Sequence, residues 1–245
     1  METFFDFSRF SRNILLNEID FQGQERICQV SILCIGCGGL ANHILPILVA
    51  SGVGRVGIVD FDIISDSNLP RQTVFMESDI KKNKVASMKD FLELRNSKCV
   101  IDIFYEKSQE IIFDIAKNYD IIIDSTDSLA SRIASNRACI QFEKPFFTGA
   151  SQGFVGHVYS FANHLKGFPC YECLFSEIVE NEKTCENSGV FPPIVQITGG
   201  FIASNVLKYI VGINLDFTEF LIFDILGNNR KINFLKESKC KVCVK

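Results

Sequence analysis

The chain has 245 residues, of which 47% are hydrophobic, and its formal net charge at pH 7 is −4. This length suits one α/β domain, and the acidic balance argues against a nucleic-acid-binding protein. No apolar run approaches the roughly 18 residues of a membrane span, and the N-terminus has no signal-peptide core. The sequence therefore predicts a soluble cytoplasmic protein, in which the 10 cysteines are thiols or metal ligands.

A glycine turn between two apolar runs is the first informative motif. A helix from Asp20 to Gln29 leads to the apolar run Ile32-Leu33-Cys34-Ile35, which is followed by Gly36-Cys37-Gly38-Gly39. This pattern predicts a buried parallel strand entering a tight turn, whose following helix can bind a phosphate at its N-terminus. The next apolar run ends at Asp60, where a carboxylate could accept hydrogen bonds from a ribose. The alternative is a turn that only packs the strand against the helix, and Pro46 predicts a bend in that helix.

Charged residues follow the second predicted strand. The polar stretch Ser67 to Gln72 lies where open α/β sheets carry ligand-binding loops, and Arg71 within it is either a solvated charge or a phosphate ligand. Lys81, Lys82 and Lys84 then precede a helix. Such a cluster is usually a solvated face, and the functional alternative is one lysine directed back at the strand ends.

Strands and helices alternate up to about residue 150, which indicates a doubly wound parallel sheet. The later strands are expected at 100–104, 120–124 and 146–148, with one helix that runs through Arg95 and further helices at 109–117 and 131–142. Asp127 follows the strand at 120–124. It is either the cap of the next helix or a carboxylate ligand of Mg²⁺.

The pattern changes after residue 150. Alternating stretches at 154–161, 220–224 and 231–234 predict antiparallel strands, with a helix from about Val195 to Val211 that ends near Gly212. The fold is therefore expected to be a Rossmann-like, doubly wound, mostly parallel α/β sheet extended by antiparallel strands. We expect one domain over 1–245: an N-terminal helical arm (1–30), a nucleotide-binding half (31–150), and an extension with a crossover loop and metal site (151–245).

Two C-x-x-C pairs far apart in the sequence predict a zinc site. Cys170 and Cys173 lie in the long polar loop after the first antiparallel strand, and Cys240 and Cys243 lie near the C-terminus. Four thiolates suit a tetrahedral structural Zn²⁺, which would tether the crossover loop to the C-terminal tail. A redox pair and unrelated thiols are the alternatives. Cys185, alone in the same loop, is either a nucleophile or an idle thiol.

Together these motifs resemble the ThiF/MoeB/HesA family, the bacterial relatives of ubiquitin-activating enzymes. The resemblance covers about Arg9 to Cys243 and is specific through the order and spacing of its motifs. Its carriers are Arg9 to Leu16, Gly36 to Gly39, Asp60-Phe61-Asp62, Ser67 to Gln72, Lys84, Ser125-Thr126-Asp127 and both cysteine pairs.

The resemblance implies a homodimeric enzyme that uses ATP and Mg²⁺ to adenylate the C-terminal glycine of a small ubiquitin-like sulfur carrier ending in Gly-Gly. It implies a nucleotide site made of Gly36, Gly38, Gly39, Asp60, Asp62, Asn68, Arg71, Gln72, Lys84 and Asp127. In this set Asp60 would hold the ribose, Asn68, Arg71 and Lys84 the triphosphate, and Asp127 the Mg²⁺.

Two further residues have roles that the resemblance implies. Arg12 would reach into the neighbouring subunit's site and act there with Arg71 and Lys84. Cys185 matches the cysteine that ThiF-type members use in acyl-disulfide chemistry with the carrier. That match and Gly153-Phe154 slightly favour a thiamine-type member over a molybdopterin-type one.

Three positions depart from the family pattern, namely Ala41, Pro70 and Ser128, and none of them removes a charged group. Two other function classes remain open. A nicotinamide-dependent oxidoreductase could use the same glycine turn, although hydride transfer needs no triphosphate-binding cations. A non-catalytic module could bind a ubiquitin-like partner, and exchange of pyrophosphate into ATP would exclude it.

Overall fold

The computed structural model describes residues 8–175 and 189–243 of the chain. Its strands are β1 (Ser31–Ile35), β2 (Arg55–Val59), β3 (Val100–Phe104), β4 (Ile121–Asp124), β5 (Phe146–Gln152), β6 (Val155–Phe161), β7 (Glu219–Asp224) and β8 (Arg230–Asn233). Within the described ranges they form one eight-stranded sheet in the order β3-β2-β1-β4-β5-β6-β7-β8. Strands β1 to β5 pair in parallel and β5 to β8 pair antiparallel, which confirms the predicted fold class.

The helices lie close to their predicted positions. They are α1 (Ser11–Ile14), α2 (Asp20–Gln29), α3 (Ala41–Ala50), α4 (Lys84–Arg95), α5 (Ser108–Ile115), α6 (Leu129–Gln141), α7 (Tyr171–Phe175) and α8 (Pro192–Val211). Helix α3 includes Pro46 and continues to Ala50, so the proline does not end it.

The two faces of the sheet carry separate hydrophobic cores. Successive side chains of β1 alternate between them, because residues along a strand point to opposite faces. Ile32 and Cys34 pack with α3, α4 and α8 on one face, whereas Leu33 and Ile35 pack with α5 and α6 on the other. This burial on both sides explains why β1 and β4 read as continuous apolar runs rather than as alternating ones.

Helix α8 is apolar and 20 residues long, so by length and composition alone it could cross a membrane. It packs against α2, α3, β5 and β6, and half of its apolar window is buried inside the protein. The helix begins at Pro192 and ends before Gly212, which takes the left-handed φ of +84° that favours glycine. Its apolar composition therefore reflects its place in the core of the fold.

The strand order creates a crevice above the centre of the sheet. The chain moves from β1 to β2 on one side, and β4 lies on the other side of β1. The connections that follow β1 and β4 therefore diverge at the carboxyl ends of these strands. In open α/β sheets this switch point is the usual position of a ligand site.

Candidate nucleotide-binding site

The glycine turn after β1 has two packing positions and one open position. Gly36 has a φ of +86°, and a Cβ there would lie 2.8 Å from Thr126 Cγ2. At Gly39 a Cβ would lie 2.9 Å from Val195 Cγ1. At Gly38 the nearest atom to such a Cβ would be Gln72 Nε2 at 3.9 Å, so the backbone here has room for a ligand to approach. The packing interpretation thus fits Gly36 and Gly39, and the ligand interpretation fits Gly38.

Asp60 stabilises this turn through the backbone. Its Oδ2 accepts a hydrogen bond from the Cys37 N–H at 2.6 Å, and its Oδ1 accepts one from the Asp62 N–H at 2.8 Å. Burial raises the pKa of the Asp60 carboxyl, while these bonds and the nearby Lys84 ammonium act in the opposite direction. Each oxygen keeps a lone pair, so the carboxylate can still accept from a ligand hydroxyl.

Lys84 differs from the other two lysines of its cluster. Its side chain is only 7% exposed, and its Nζ lies 2.7 Å from Asp62 Oδ2. Lys81 and Lys82 are exposed, and Lys82 pairs with Asp79 on the surface. The structure therefore selects Lys84 as the lysine directed at the strand ends.

The loop after β2 packs against the glycine turn. The Arg71 guanidinium donates to the Ser67 carbonyl at 2.8 Å, and a Cβ at Gly39 would lie 3.8 Å from Arg71 Cγ. Asn68 closes the loop by accepting from the Ser65 N–H at 3.1 Å. Gln72 is 2% exposed, and its Oε1 has no hydrogen-bond partner among the described residues, so it offers an unused acceptor beside Gly38.

Asp127 is exposed at the end of β4. The interpretation of Asp127 as a helix cap is wrong, because Ser128 caps α6 by accepting from the Ser131 N–H at 3.2 Å. A carboxylate that is not used as a cap is available to a cation. With the glycine turn (36–39) and the loop 60–72, Asp127 defines the region that we call the nucleotide edge.

Arg12 does not join the nucleotide edge of its own subunit. It is exposed on α1, and the adjacent Arg9 guanidinium donates to the carbonyl of Arg95 at the end of α4. Helix α4 leads into β3, so this position lies at the amino end of the parallel strands, opposite the nucleotide edge. Arg12 therefore lies away from the nucleotide edge of the chain that carries it.

A cavity of about 530 Å³ also lies at the amino ends of the strands, away from the nucleotide edge. Its charged lining residues include Arg26 and Asp120, which already have partners within the fold. Arg26 donates to the last carbonyls of α8, and Asp120 accepts from Ser31. The residue types at the nucleotide edge, rather than the volume of this cavity, therefore indicate the candidate site.

The four cysteines of the two C-x-x-C pairs meet, although the pairs are seventy residues apart. All four sulfurs lie within 4.8 Å of one another. Neighbouring sulfurs are 3.8 Å apart for Cys170–Cys173 and Cys170–Cys240, and 3.4 Å apart for Cys173–Cys243. Tetrahedral zinc with Zn–S bonds of about 2.3 Å places its sulfurs roughly 3.8 Å apart, so this cysteine cluster fits the metal. Hydrogen bonding from Cys170 lowers the pKa of the Cys173 thiol to about 5, which favours a thiolate.

The remaining cysteines divide as follows. Cys34, Cys37, Cys99 and Cys139 are buried and Cys28 is half-buried, as expected of small core residues. Cys185 lies outside the described residues, so its predicted role is not tested.

Sequence reasoning missed two side chains that shape the nucleotide edge. Asp124 and Arg132 bind the segment that ends at Asp127. The spacing of Ser131 and Ser135 could have indicated the role of Asp124 from the sequence. These serines are four residues apart on α6, so both hydroxyls lie on one face of the helix and reach the end of β4.

Comparison with known proteins identifies the family. The model of the ThiF family matches residues 10–243. The chain belongs to the ThiF family. Curated relatives include a probable molybdopterin-synthase adenylyltransferase of Porphyra purpurea, 40% identical over 84% of this chain and 55% of that protein. A sulfur carrier protein adenylyltransferase of Thermus thermophilus is 30% identical over 97% of this chain and 91% of that protein.

The coverage of these relatives differs. The chain spans about half the length of several curated relatives, such as the adenylyltransferase and sulfurtransferase MOCS3 of Culex quinquefasciatus, of which it covers 48%. Solved structures of Escherichia coli MccB match with TM-scores of 0.83 and 0.80, at 23% and 24% identity. The match covers 98% and 96% of this chain and 75% and 74% of those chains. At this identity the structural likeness shows the ThiF-type fold.

Proposed function

We propose that the protein uses ATP to adenylate the C-terminal glycine of a small ubiquitin-like sulfur carrier. The observation that carries this proposal is that Lys84, the Arg71 loop and the segment ending at Asp127 all border the glycine turn at the switch point of the sheet. Membership of the ThiF family and the printed names of the relatives support the same reaction class.

The chemistry explains why cations gather here. The carrier carboxylate must attack the α-phosphate of ATP, and both groups are negatively charged. No general base is required, because a C-terminal carboxylate is ionised at pH 7. Lys84 and Arg71 would offset the repulsion and stabilise the leaving pyrophosphate, so catalysis consists mainly of positioning and electrostatics. The Lys84 ammonium, which pairs with Asp62 in the structure, would also bind the triphosphate.

The other site residues have proposed roles that follow from their positions. Asp60 would accept from the ribose while holding the turn, and Asn68 and Gln72 would contact phosphate oxygens or the ribose through their amides. Asp127 would hold Mg²⁺, which supplies positive charge beside the phosphates when bound. Arg12 lies on the opposite edge, so its proposed contribution requires a homodimer in which it enters the partner's site. Cys185 would act after adenylation, in covalent chemistry with the carrier.

The cysteine cluster is proposed to hold a structural zinc. The sulfur distances and the all-thiolate donor set fit this metal, and four protein ligands leave no position for catalysis. The pathway is not part of the proposal. One relative carries a molybdopterin-synthase name, another a general sulfur-carrier name, and neither favours the thiamine-type interpretation.

Exchange of labelled pyrophosphate into ATP tests the proposal. We expect exchange that depends on a carrier ending in Gly-Gly and is lost when the last glycine of the carrier is deleted. Carrier binding without exchange, across thiamine-type and molybdopterin-type carriers, would favour a non-catalytic binding module. Binding of NADH in preference to ATP would favour the oxidoreductase. The same assay with both carrier types identifies the pathway.

A further inference from the structure

Asp124 is a buried carboxylate at the end of β4 that no step of the proposed reaction uses. Its exposed fraction is 0%. Oδ1 accepts from the Thr126 N–H at 3.0 Å and from the Thr126 hydroxyl at 2.6 Å. Oδ2 accepts from the hydroxyls of Ser131 at 2.9 Å and Ser135 at 2.8 Å. All four donors are uncharged groups.

Burying a carboxylate among uncharged donors is unfavourable for the stability of the fold. Burying an ionised carboxylate carries a penalty of several kcal/mol, which hydrogen bonds from neutral donors offset only in part. An apolar side chain would pack a strand end more favourably. The charge at this position therefore calls for an explanation beyond packing.

The bonds of Asp124 hold both sides of the segment that carries Asp127. On one side Thr126 is fixed through its N–H and hydroxyl, and on the other the first turns of α6 are fixed through Ser131 and Ser135. Asp127 lies between these two anchors and has little freedom to move away.

Neighbouring side chains tie the same segment to the rest of the nucleotide edge. The Ser125 hydroxyl lies 3.0 Å from both the Ile35 and the Gly36 carbonyls, next to the glycine turn. The Arg132 guanidinium donates to the Thr126 carbonyl and, at 2.9 Å, to the Gly149 carbonyl of β5. The segment 125–127 is thus bound to β1, β5 and α6, and Asp124 lies at the centre of these contacts.

We propose that Asp124 is a positioning residue that holds Asp127 towards the metal ion bound with the nucleotide. Its negative charge also raises the affinity of this edge for a divalent cation, since no cationic side chain forms an ion pair with it in the described part of the chain. This inference rests on the proposed function, because it assumes that a metal–nucleotide complex binds here.

The test measures metal affinity directly. Mn²⁺ is titrated into the full-length protein at a saturating concentration of a non-hydrolysable ATP analogue, and free Mn²⁺ is measured by electron paramagnetic resonance. We expect Asp124→Asn to weaken Mn²⁺ binding by about 10-fold or more, as is typical when a partner that orients a ligand is lost. Asparagine keeps the acceptor for Thr126, and the two serine hydroxyls can rotate to accept from its amide.

Two further variants complete the design. Ser135→Ala removes one donor and should weaken Mn²⁺ binding by a smaller factor, which keeps the test decisive if Asp124→Asn fails to fold. Asp102→Asn is the matched control: this carboxylate on β3 accepts from Arg55 Nε at 2.7 Å and Tyr119 at 2.8 Å, and is not part of the nucleotide edge. It should leave Mn²⁺ affinity unchanged even if it lowers the melting temperature.

The outcomes separate the two hypotheses. If the wild-type protein binds the Mn²⁺–nucleotide complex and both Asp124→Asn and Ser135→Ala bind it equally well, the positioning role is overturned while the proposed function survives. If the control variant weakens binding as much as Asp124→Asn, the effect is general destabilisation and the role is also overturned. If the wild-type protein binds no such complex, the proposed function fails and this inference fails with it.

Discussion

At the nucleotide edge, Asp60 and Ser125 hold the glycine turn through short hydrogen bonds to its backbone, before any ligand is bound. The cysteine cluster differs, because its four sulfurs come from two segments seventy residues apart and lie partly on short turns. Four close thiols repel one another once ionised, so we expect this end of the molecule to depend on a metal for its stability. A preorganised candidate site and a proposed metal tether thus occur in one chain.

Helix α6 connects these two regions. Its first turns bind Asp124, and its later residues Asn136 and Arg137 bind Glu172, which lies between Cys170 and Cys173. Asn136 is fully buried and also accepts from the Tyr171 N–H at 3.2 Å. The comparison therefore becomes testable, because α6 gives damage at one region a direct structural connection to the other.

Loss of the metal should have the largest effect. Cys240→Ser, or treatment with a strong chelator, is expected to lower the free energy of unfolding by several kcal/mol. Structural zinc contributes about 10–16 kcal/mol in zinc-finger peptides, and a domain with its own core retains part of its stability without it. Thermal unfolding together with the zinc content of the protein checks this. Cys28→Ser is the control, and an equal loss of stability in that variant would contradict a metal tether.

Arg71→Ala should nearly abolish pyrophosphate exchange, with a loss of at least about 100-fold, because a group that stabilises charge in the transition state contributes on that scale. Melting temperature should change little, since Arg71 makes one surface hydrogen bond to the loop. Arg95→Ala, at the opposite edge of the sheet, serves as the control. Near-normal exchange in Arg71→Ala would refute its role.

Lys84→Met and Lys82→Met form a matched pair. Removing the buried Lys84 ammonium should raise the KM for ATP or lower kcat by about 10- to 100-fold, the value of a hydrogen bond to a charged group. Lys82 is exposed and pairs only with Asp79, so its removal should leave the exchange rate within about twofold. Equal effects of the two substitutions would mean that the nucleotide edge does not depend on Lys84.

Arg137→Ala should have the smallest effect. Its ion pair with Glu172 at 2.9 Å is half exposed on the arginine side, so we expect a stability loss of at most about 1 kcal/mol. Zinc should dissociate faster from this variant, as measured with a chromogenic chelator, while ATP affinity stays the same. A large fall in ATP affinity would show that the two regions are coupled more strongly than their contacts indicate.

Much of this molecule could be predicted from local patterns. The apolar runs of β1 and β4 and the limits of α2 follow from periodicity and from strands buried on both faces, which depend on nearby residues alone. The end of α8 followed from Gly212, since a left-handed residue stops a helix wherever it occurs. The two C-x-x-C pairs predicted a four-sulfur cluster, because four thiolates suit the tetrahedral geometry of zinc.

The sequence by itself determined the family, the order of the elements and the residue types that gather at the nucleotide edge. Lys84, which the family resemblance singled out, is also the buried lysine of its cluster in the structure. Only the tertiary structure decided that Ser128 rather than Asp127 caps α6, and that Arg12 lies on the far edge. It also revealed Asp124, whose partners lie on the next helix as well as in its own turn. These features depend on distances between elements, and such distances arise from packing rather than from any local run of residues.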